Sequence, residues 1–95
     1  MSKYQIVASA KFRRDLKAAK KRGYDMALLD EVVSILAAGE PLPPKNRDHA
    51  LVGGEFAGCR ECHVRPDWLL VYQICDGDLV LYLLRTGSHS DLGLA

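Results

Sequence analysis

Ninety-five residues carry 13 Lys and Arg against 12 Asp and Glu, for a formal net charge of +1, which bounds the chain to one domain with one modest core. An apolar content of 48% and a charged content of 26% are ordinary for a soluble globular protein and exclude disordered or fibrous classes. No apolar run approaches the ~20 residues of a membrane span, and the amino end is short, polar and soon charged, unlike a signal peptide. Three cysteines are an odd number, which argues against a disulfide framework and for reduced thiols in the cytoplasm.

Lys3 to Ala8 reads as a short first strand. Ser9 is placed to cap a helix running to about Arg22, stopped by Gly23. Phe12, Leu16 and Ala19 share one face of it, and Lys11, Arg13, Arg14, Lys17, Lys20 and Lys21 fill the rest. That basic surface suits either a solvated helix face or a polyanion-binding one. Asp25 caps a second helix over Met26 to Ala38, with a broad stripe of Leu28, Leu29, Val32, Val33, Ile35 and Leu36. The tight Arg22-Gly23-Tyr24 connection makes the two helices an antiparallel hairpin that needs a flat surface to cover.

Pro41, Pro43 and Pro44 then favour extended loop over helix. Glycines 53, 54 and 58 suggest turns around a short strand at Glu55 to Ala57. Three strands follow, over Cys59 to Arg65, Trp68 to Cys75 and Leu79 to Arg85. The middle one is apolar on both faces, which places it centrally. Asp76-Gly77 is a strong hairpin signal. Pro66 lacks an N–H, so the chain turns or bulges there, which is expected to display Asp67 and Trp68. The order of elements gives an α+β domain: an N-terminal strand, a two-helix hairpin, then an antiparallel meander with the helices on one face. The tail from Thr86 folds across the sheet or frays.

Chemistry concentrates in Cys62-His63-Val64-Arg65-Pro66-Asp67-Trp68. His49 and His89 come from segments flanking the same strands, and the expectation is that the three histidines and Asp67 meet at one site. Alternation puts Cys59, Glu61, His63 and Arg65 on one strand face. It also sends Cys59 and Cys62 to opposite faces, so Cys59-Arg60-Glu61-Cys62-His63 is read as neither a haem-attachment motif nor a zinc site, and no metal or cofactor is expected. Asp67 fits a turn residue or a catalytic carboxylate, and Trp68 a core residue or a stacking platform. Ser88-His89-Ser90-Asp91 has the residue types of a serine triad, but adjacent positions give poor geometry and no nucleophile elbow is present. Arg85, at a strand end, suits a phosphate clamp or a salt bridge to Asp67 or Glu61.

Three blocks carry a resemblance: Arg47-Asp48-His49-x-Leu51; Gly58-x-Arg60-x-x-His63-Val64-x-Pro66-Asp67-Trp68-Leu69-Leu70-x-Tyr72; and Arg85-Thr86-Gly87-Ser88-His89. Together they resemble the YafQ-like toxins of the RelE/ParE superfamily over nearly the whole chain. The resemblance implies a RelE-like curved antiparallel sheet and a ribosome-dependent mRNA endonuclease, half of a type II toxin–antitoxin pair. It implies functional positions at His49, His63, Asp67, Trp68 and His89. The expected chemistry is metal-free attack of the ribose 2′-OH on phosphorus. His89 would be the acid, Asp67 or His63 the base, with His49 assisting. Arg85 would hold the phosphate, Trp68 would stack on a base, and Lys45, Arg47, Arg60 and the basic helix would contact RNA, including 16S rRNA. The implied antitoxin is a small ribbon-helix-helix protein, through which alone operator DNA is met. One position departs: the family usually carries an aromatic near the carboxyl end, where this chain has Leu92 and Gly93, one stacking ring fewer. Two rival classes are a non-nuclease superfamily member acting on a target such as gyrase, and a pure binding module.

Overall fold

A computed structural model describes residues 2–94. The elements run β1 (Gln5–Ala8), α1 (Ala10–Lys21), α2 (Met26–Ala37), a 3₁₀ turn (Pro44–Asn46), β2 (His49–Ala50), β3 (Arg60–Arg65), β4 (Trp68–Cys75), β5 (Val80–Gly87) and α3 (His89–Leu92). The expected α+β order stands, and both long helices begin where their caps say. The Ser9 hydroxyl accepts from the Phe12 N–H at 2.9 Å and donates to the Leu84 carbonyl at 2.8 Å, so one side chain starts α1 and ties it to β5. Asp25 accepts from the Ala27 N–H at the head of α2.

The five strands lie in the order β1-β5-β4-β3-β2. The β2-β3-β4-β5 pairings are antiparallel, while β1 pairs β5 in parallel, so the sheet is mixed. β4 is its central strand, as its two apolar faces require. Trp68, Leu70 and Tyr72 face the helices with Cys62, Leu81 and Leu83, against Phe12, Leu29, Val32 and Leu36. Each such side chain contributes about 1.5–3 kcal/mol by leaving water. On the opposite face a smaller cluster of Leu69, Val71 and Leu92 is flanked by Leu51, Phe56, Cys59 and Leu84.

Four local expectations change. Pro44 opens a 3₁₀ turn instead of excluding helix, because the first position of a helix does not use its N–H. Residues 55–57 form a turn; the edge strand lies at His49–Ala50, pairing with Glu61 and Arg60. The β4–β5 hairpin closes over Asp76 to Leu79, with Leu79 at φ 54°, a longer loop than a two-residue Asp-Gly turn. Pro66-Asp67 does make the β3–β4 turn, with a bulge between His63 and Arg65, but Trp68 is not displayed there. It is only 2% exposed. It is the first residue of β4, and its alternation with Leu70 and Tyr72 sends it into the helix-covered core.

Candidate active site

Strand register gathers residues distant in sequence. Across the sheet, His49 lies opposite Glu61 and Glu61 opposite Val71, while His63 lies opposite Leu69 and Leu69 opposite Gly87. Since Cys62 and Val64 pack under the helices, Glu61 and His63 project from the other face. The second row ends at Gly87, two residues before His89. The ring centroids of His49 and His63 lie 6.4 Å apart, and those of His63 and His89 lie 5.5 Å apart.

Each imidazole is held differently. His89 opens α3, capped by Ser88 with Asp91 reciprocating. Its backbone N–H and its Nδ1–H both donate to Asp67 Oδ1, at 2.9 and 2.6 Å. Because an ionised carboxylate only accepts, the proton sits on Nδ1 and Nε2 is left for chemistry. These two bonds from His89 hold the Asp67 carboxyl below its usual range. His63 Nδ1–H donates to the Pro66 carbonyl at 3.2 Å, a contact the bulge and turn create, and its Nε2 lies 3.3 Å from Glu61 Oε1. His49 Nδ1–H donates to the Arg47 carbonyl at 2.7 Å, and its Nε2 lies 3.7 Å from the same Glu61 oxygen. Glu61 is thus a nearly buried carboxylate between two imidazoles, with a side chain only 7% exposed, whereas the Asp67 side chain is 69% exposed. Glu61 is the site member the sequence reading passed over, although alternation had already put it on the His63 face.

The expected four, His49, His63, Asp67 and His89, therefore converge. An open hollow of about 520 Å³ reaches His63, alone of the four, and is otherwise lined by Lys45, Arg47 and Arg65 and by Glu31, Leu28 and Ile35 of α2. Lys45, Arg47 and Arg65 are exposed and make no ion pair among the described residues.

Three expected RNA contacts are placed elsewhere. Trp68 offers no face for a base: its Nε1–H donates to Thr86 Oγ1 at 2.9 Å and its ring packs on Tyr24 at 4.8 Å. Arg85 is forked onto Asp15 at 2.7 and 3.2 Å, not onto Asp67 or Glu61. Arg60 donates to Asp48 at 3.2 Å, and the same Asp48 oxygen accepts from Tyr72. Cys59 and Cys62 sit in the two opposite clusters, as alternation required. Burial pushes the Cys62 thiol up to about 12.

Glu61, His63 and His89 each bring one ligating atom within 4.8 Å of the others. One carboxylate and two imidazoles form a donor set that fits a divalent transition metal. The same groups, with free Nε2 on His89, form an acid–base constellation.

Residues 4–93 match the family described as "Bacterial toxin of type II toxin-antitoxin system, YafQ". The chain is 38% identical over 93 residues to the mRNA interferase toxin YafQ of Escherichia coli K12, covering 97% of this chain and 98% of that protein. Among solved structures it is similar to the toxin in the E. coli DinJ-YafQ toxin-antitoxin complex, with TM-score 0.84, 37% identity, and 95% and 97% of the two chains covered. It is also similar to a metal-bound toxin from Helicobacter pylori, with TM-score 0.87, 50% identity, and 94% and 98% covered.

Proposed function

This chain belongs to the YafQ family of bacterial type II toxins, and on that premise we propose that it is an mRNA interferase: an endoribonuclease that enters the ribosomal A site and cuts mRNA there. The observation that carries the reading is the run of three imidazoles, spaced 6.4 and 5.5 Å and interleaved with Glu61 and Asp67 on one accessible sheet face. The ribose 2′-OH attacks the adjacent phosphorus, and the products are a 2′,3′-cyclic phosphate and a 5′-OH. His89 protonates the leaving oxygen through Nε2. Asp67 holds His89 by its Nδ1–H and stabilises the imidazolium, as a triad carboxylate does. That assignment moves Asp67 out of the base role, since a carboxyl held below its usual range is a weaker base still. His63 takes the 2′-OH proton, and Glu61 beside its Nε2 stabilises the charge it gains. His49 completes the row, and Lys45, Arg47 and Arg65 meet the RNA phosphates, making binding salt-sensitive.

Purified protein with programmed ribosomes tests this. Wild type should yield cut mRNA with cyclic-phosphate ends, and His89→Ala should slow cutting roughly 10²–10⁴-fold. Intact mRNA with wild-type protein would refute it, and growth arrest without cutting would favour a non-nuclease target such as gyrase. The partner implied is a cognate antitoxin, as DinJ is for the E. coli relative, expected to be a ribbon-helix-helix protein that carries the pair to operator DNA. Action on ribosomes would call for a cytoplasmic protein; separately, no helix among the described residues is long and apolar enough to cross a membrane.

A second reading rests on the Glu61, His63 and His89 donors. A divalent metal held there would supply Lewis acidity, and it would take both imidazoles away from proton transfer. Cleavage should therefore persist in EDTA and fall on titration with Zn²⁺ or Cu²⁺. Loss of cleavage in EDTA, restored by metal, would reverse that order.

A further inference from the structure

His89 stands in a segment gripped from behind. Asp15 on α1 and Arg22, the αR residue that caps its carboxyl end, lie seven residues apart, two turns, so they share one stripe. Asp15 accepts from the Arg85 guanidinium and, at 3.1 Å, from the Thr86 N–H. Arg22 donates to Asp91 through both terminal nitrogens, Nη1 to Oδ2 at 2.5 Å and Nη2 to Oδ1 at 3.2 Å. Asp91 Oδ2 also accepts the Ser88 N–H at 3.0 Å, and the Ser88 hydroxyl accepts the Asp91 N–H at 3.0 Å. One helix stripe thus holds both the end of β5 and the start of α3. Gly87 lets them meet closely, since a Cβ there would stand 3.0 Å from the Asp91 Cβ and Oδ2. Four residues are too few to hold a helix unaided. The same four residues carry the imidazole that faces Asp67.

We propose that Arg22 and Asp91 are positioning residues for the cleavage reaction, a latch that docks α3 on the end of α1 and so fixes His89 against Asp67 with Nε2 aimed at the scissile phosphate. The inference rests on the nuclease reading above. The latch does two things. It sets the place of an acid whose misplacement by 1 Å would cost about 10²-fold. It also neutralises a carboxylate two residues from His89 that would otherwise repel incoming phosphate. The Arg22 guanidinium and the Ser88 N–H hold the Asp91 carboxyl far below its usual range, consistent with a tightly engaged pair.

Arg22→Gln and Asp91→Asn each remove the ion pair, and the asparagine keeps an acceptor for the Ser88 N–H. Each should lower kcat on programmed ribosomes by roughly 10–100-fold with KM within about threefold. The double variant should lose no more than the worse single one. Amide hydrogen exchange at His89 should rise about tenfold while that of Leu70 and Val71 in β4 holds. Additive losses, an effect confined to KM, or exchange rising equally at every amide would overturn the latch and leave Arg22 a structural or RNA-contacting residue. If wild type itself leaves mRNA intact, the nuclease reading fails, and exchange at His89 still decides whether Arg22 and Asp91 hold α3.

Discussion

The two faces of this sheet obey different rules, although one strand builds both. On the helix-covered face, β4 supplies Trp68, Leu70 and Tyr72, and the polar atoms there are partnered within the protein: Trp68 donates to Thr86, whose hydroxyl donates to the Leu69 carbonyl at 2.7 Å, and Tyr72 donates to Asp48. Among the described residues no buried side-chain nitrogen or oxygen lacks a partner. On the opposite face, β4 supplies Leu69 and Val71 as a floor, and beyond them stand imidazoles of which two share Glu61 and the third, His89, keeps its Nε2 free. The first face spends its hydrogen-bonding capacity on folding, while the second holds some in reserve. Substitutions on the two faces should therefore separate stability from activity.

The sharpest test is Trp68→Ala, which should cost about 3–5 kcal/mol of stability by leaving a cavity. It should lower thermal unfolding by tens of degrees, at about 4–8 °C per kcal/mol for a domain this size. Trp68→Phe keeps most of the volume and should cleave RNA near the wild-type rate below its unfolding temperature. A Trp68→Phe protein that is folded but inactive would return the indole to the RNA and break the division between faces. Tyr72→Phe should cost about 1.5–3 kcal/mol, because it removes a hydrogen bond to a carboxylate, again measured by denaturant unfolding with activity retained. Glu61→Gln should do the reverse, with unfolding little changed and kcat down on the order of 10²-fold, since the imidazoles at 3.3 and 3.7 Å lose their counter-charge.

The smallest effect is on pH. The carboxyls of Asp91 and Asp67 are held down in the folded state, the first chiefly by Arg22, the second by the backbone and ring N–H groups of His89. Stability from such groups is fully present above their unfolded value near 3.9 and drains away as pH falls toward the folded one. Wild type should thus lose stability below about pH 4, and Asp91→Asn, less stable at neutral pH, should converge with it in acid. Parallel unfolding curves for the two proteins down to pH 2 would show that the Arg22 pair contributes nothing to folding.

Much of this was legible in the sequence because it is written locally. Ser9 and Asp25 mark the starts of α1 and α2, and alternation in Trp68 to Cys75 gives β4 its bounds. The three histidines and Asp67 converge as expected. What misled was a conflict between two local signals: the Pro66 turn argued for display of Trp68, and the alternation with Leu70 and Tyr72 argued for burial. Burial of an indole with a satisfied N–H wins. What could not be read were pairs remote along the chain. Arg85 finds Asp15 at a separation of 70 residues, and Arg60 finds Asp48 across a loop, so Arg85 was matched with the wrong carboxylates and Arg60 with none. The β2 pairing was hidden for a similar reason, because two residues carry no periodicity.

That brevity has a consequence for His49. It rides a strand two residues long at the outer edge of the sheet, held by His49–Glu61 and Ala50–Arg60 pairings. Its flanks are tied by the Asp48 bonds to Arg60 and Tyr72 and by the Leu51 N–H to the Cys59 carbonyl at 2.9 Å, but short edge pairings open at less cost than central ones. Of the two imidazoles that strands carry, His49 is therefore the one whose backbone fewer sheet pairings hold, and its amide should exchange faster than that of His63 in β3.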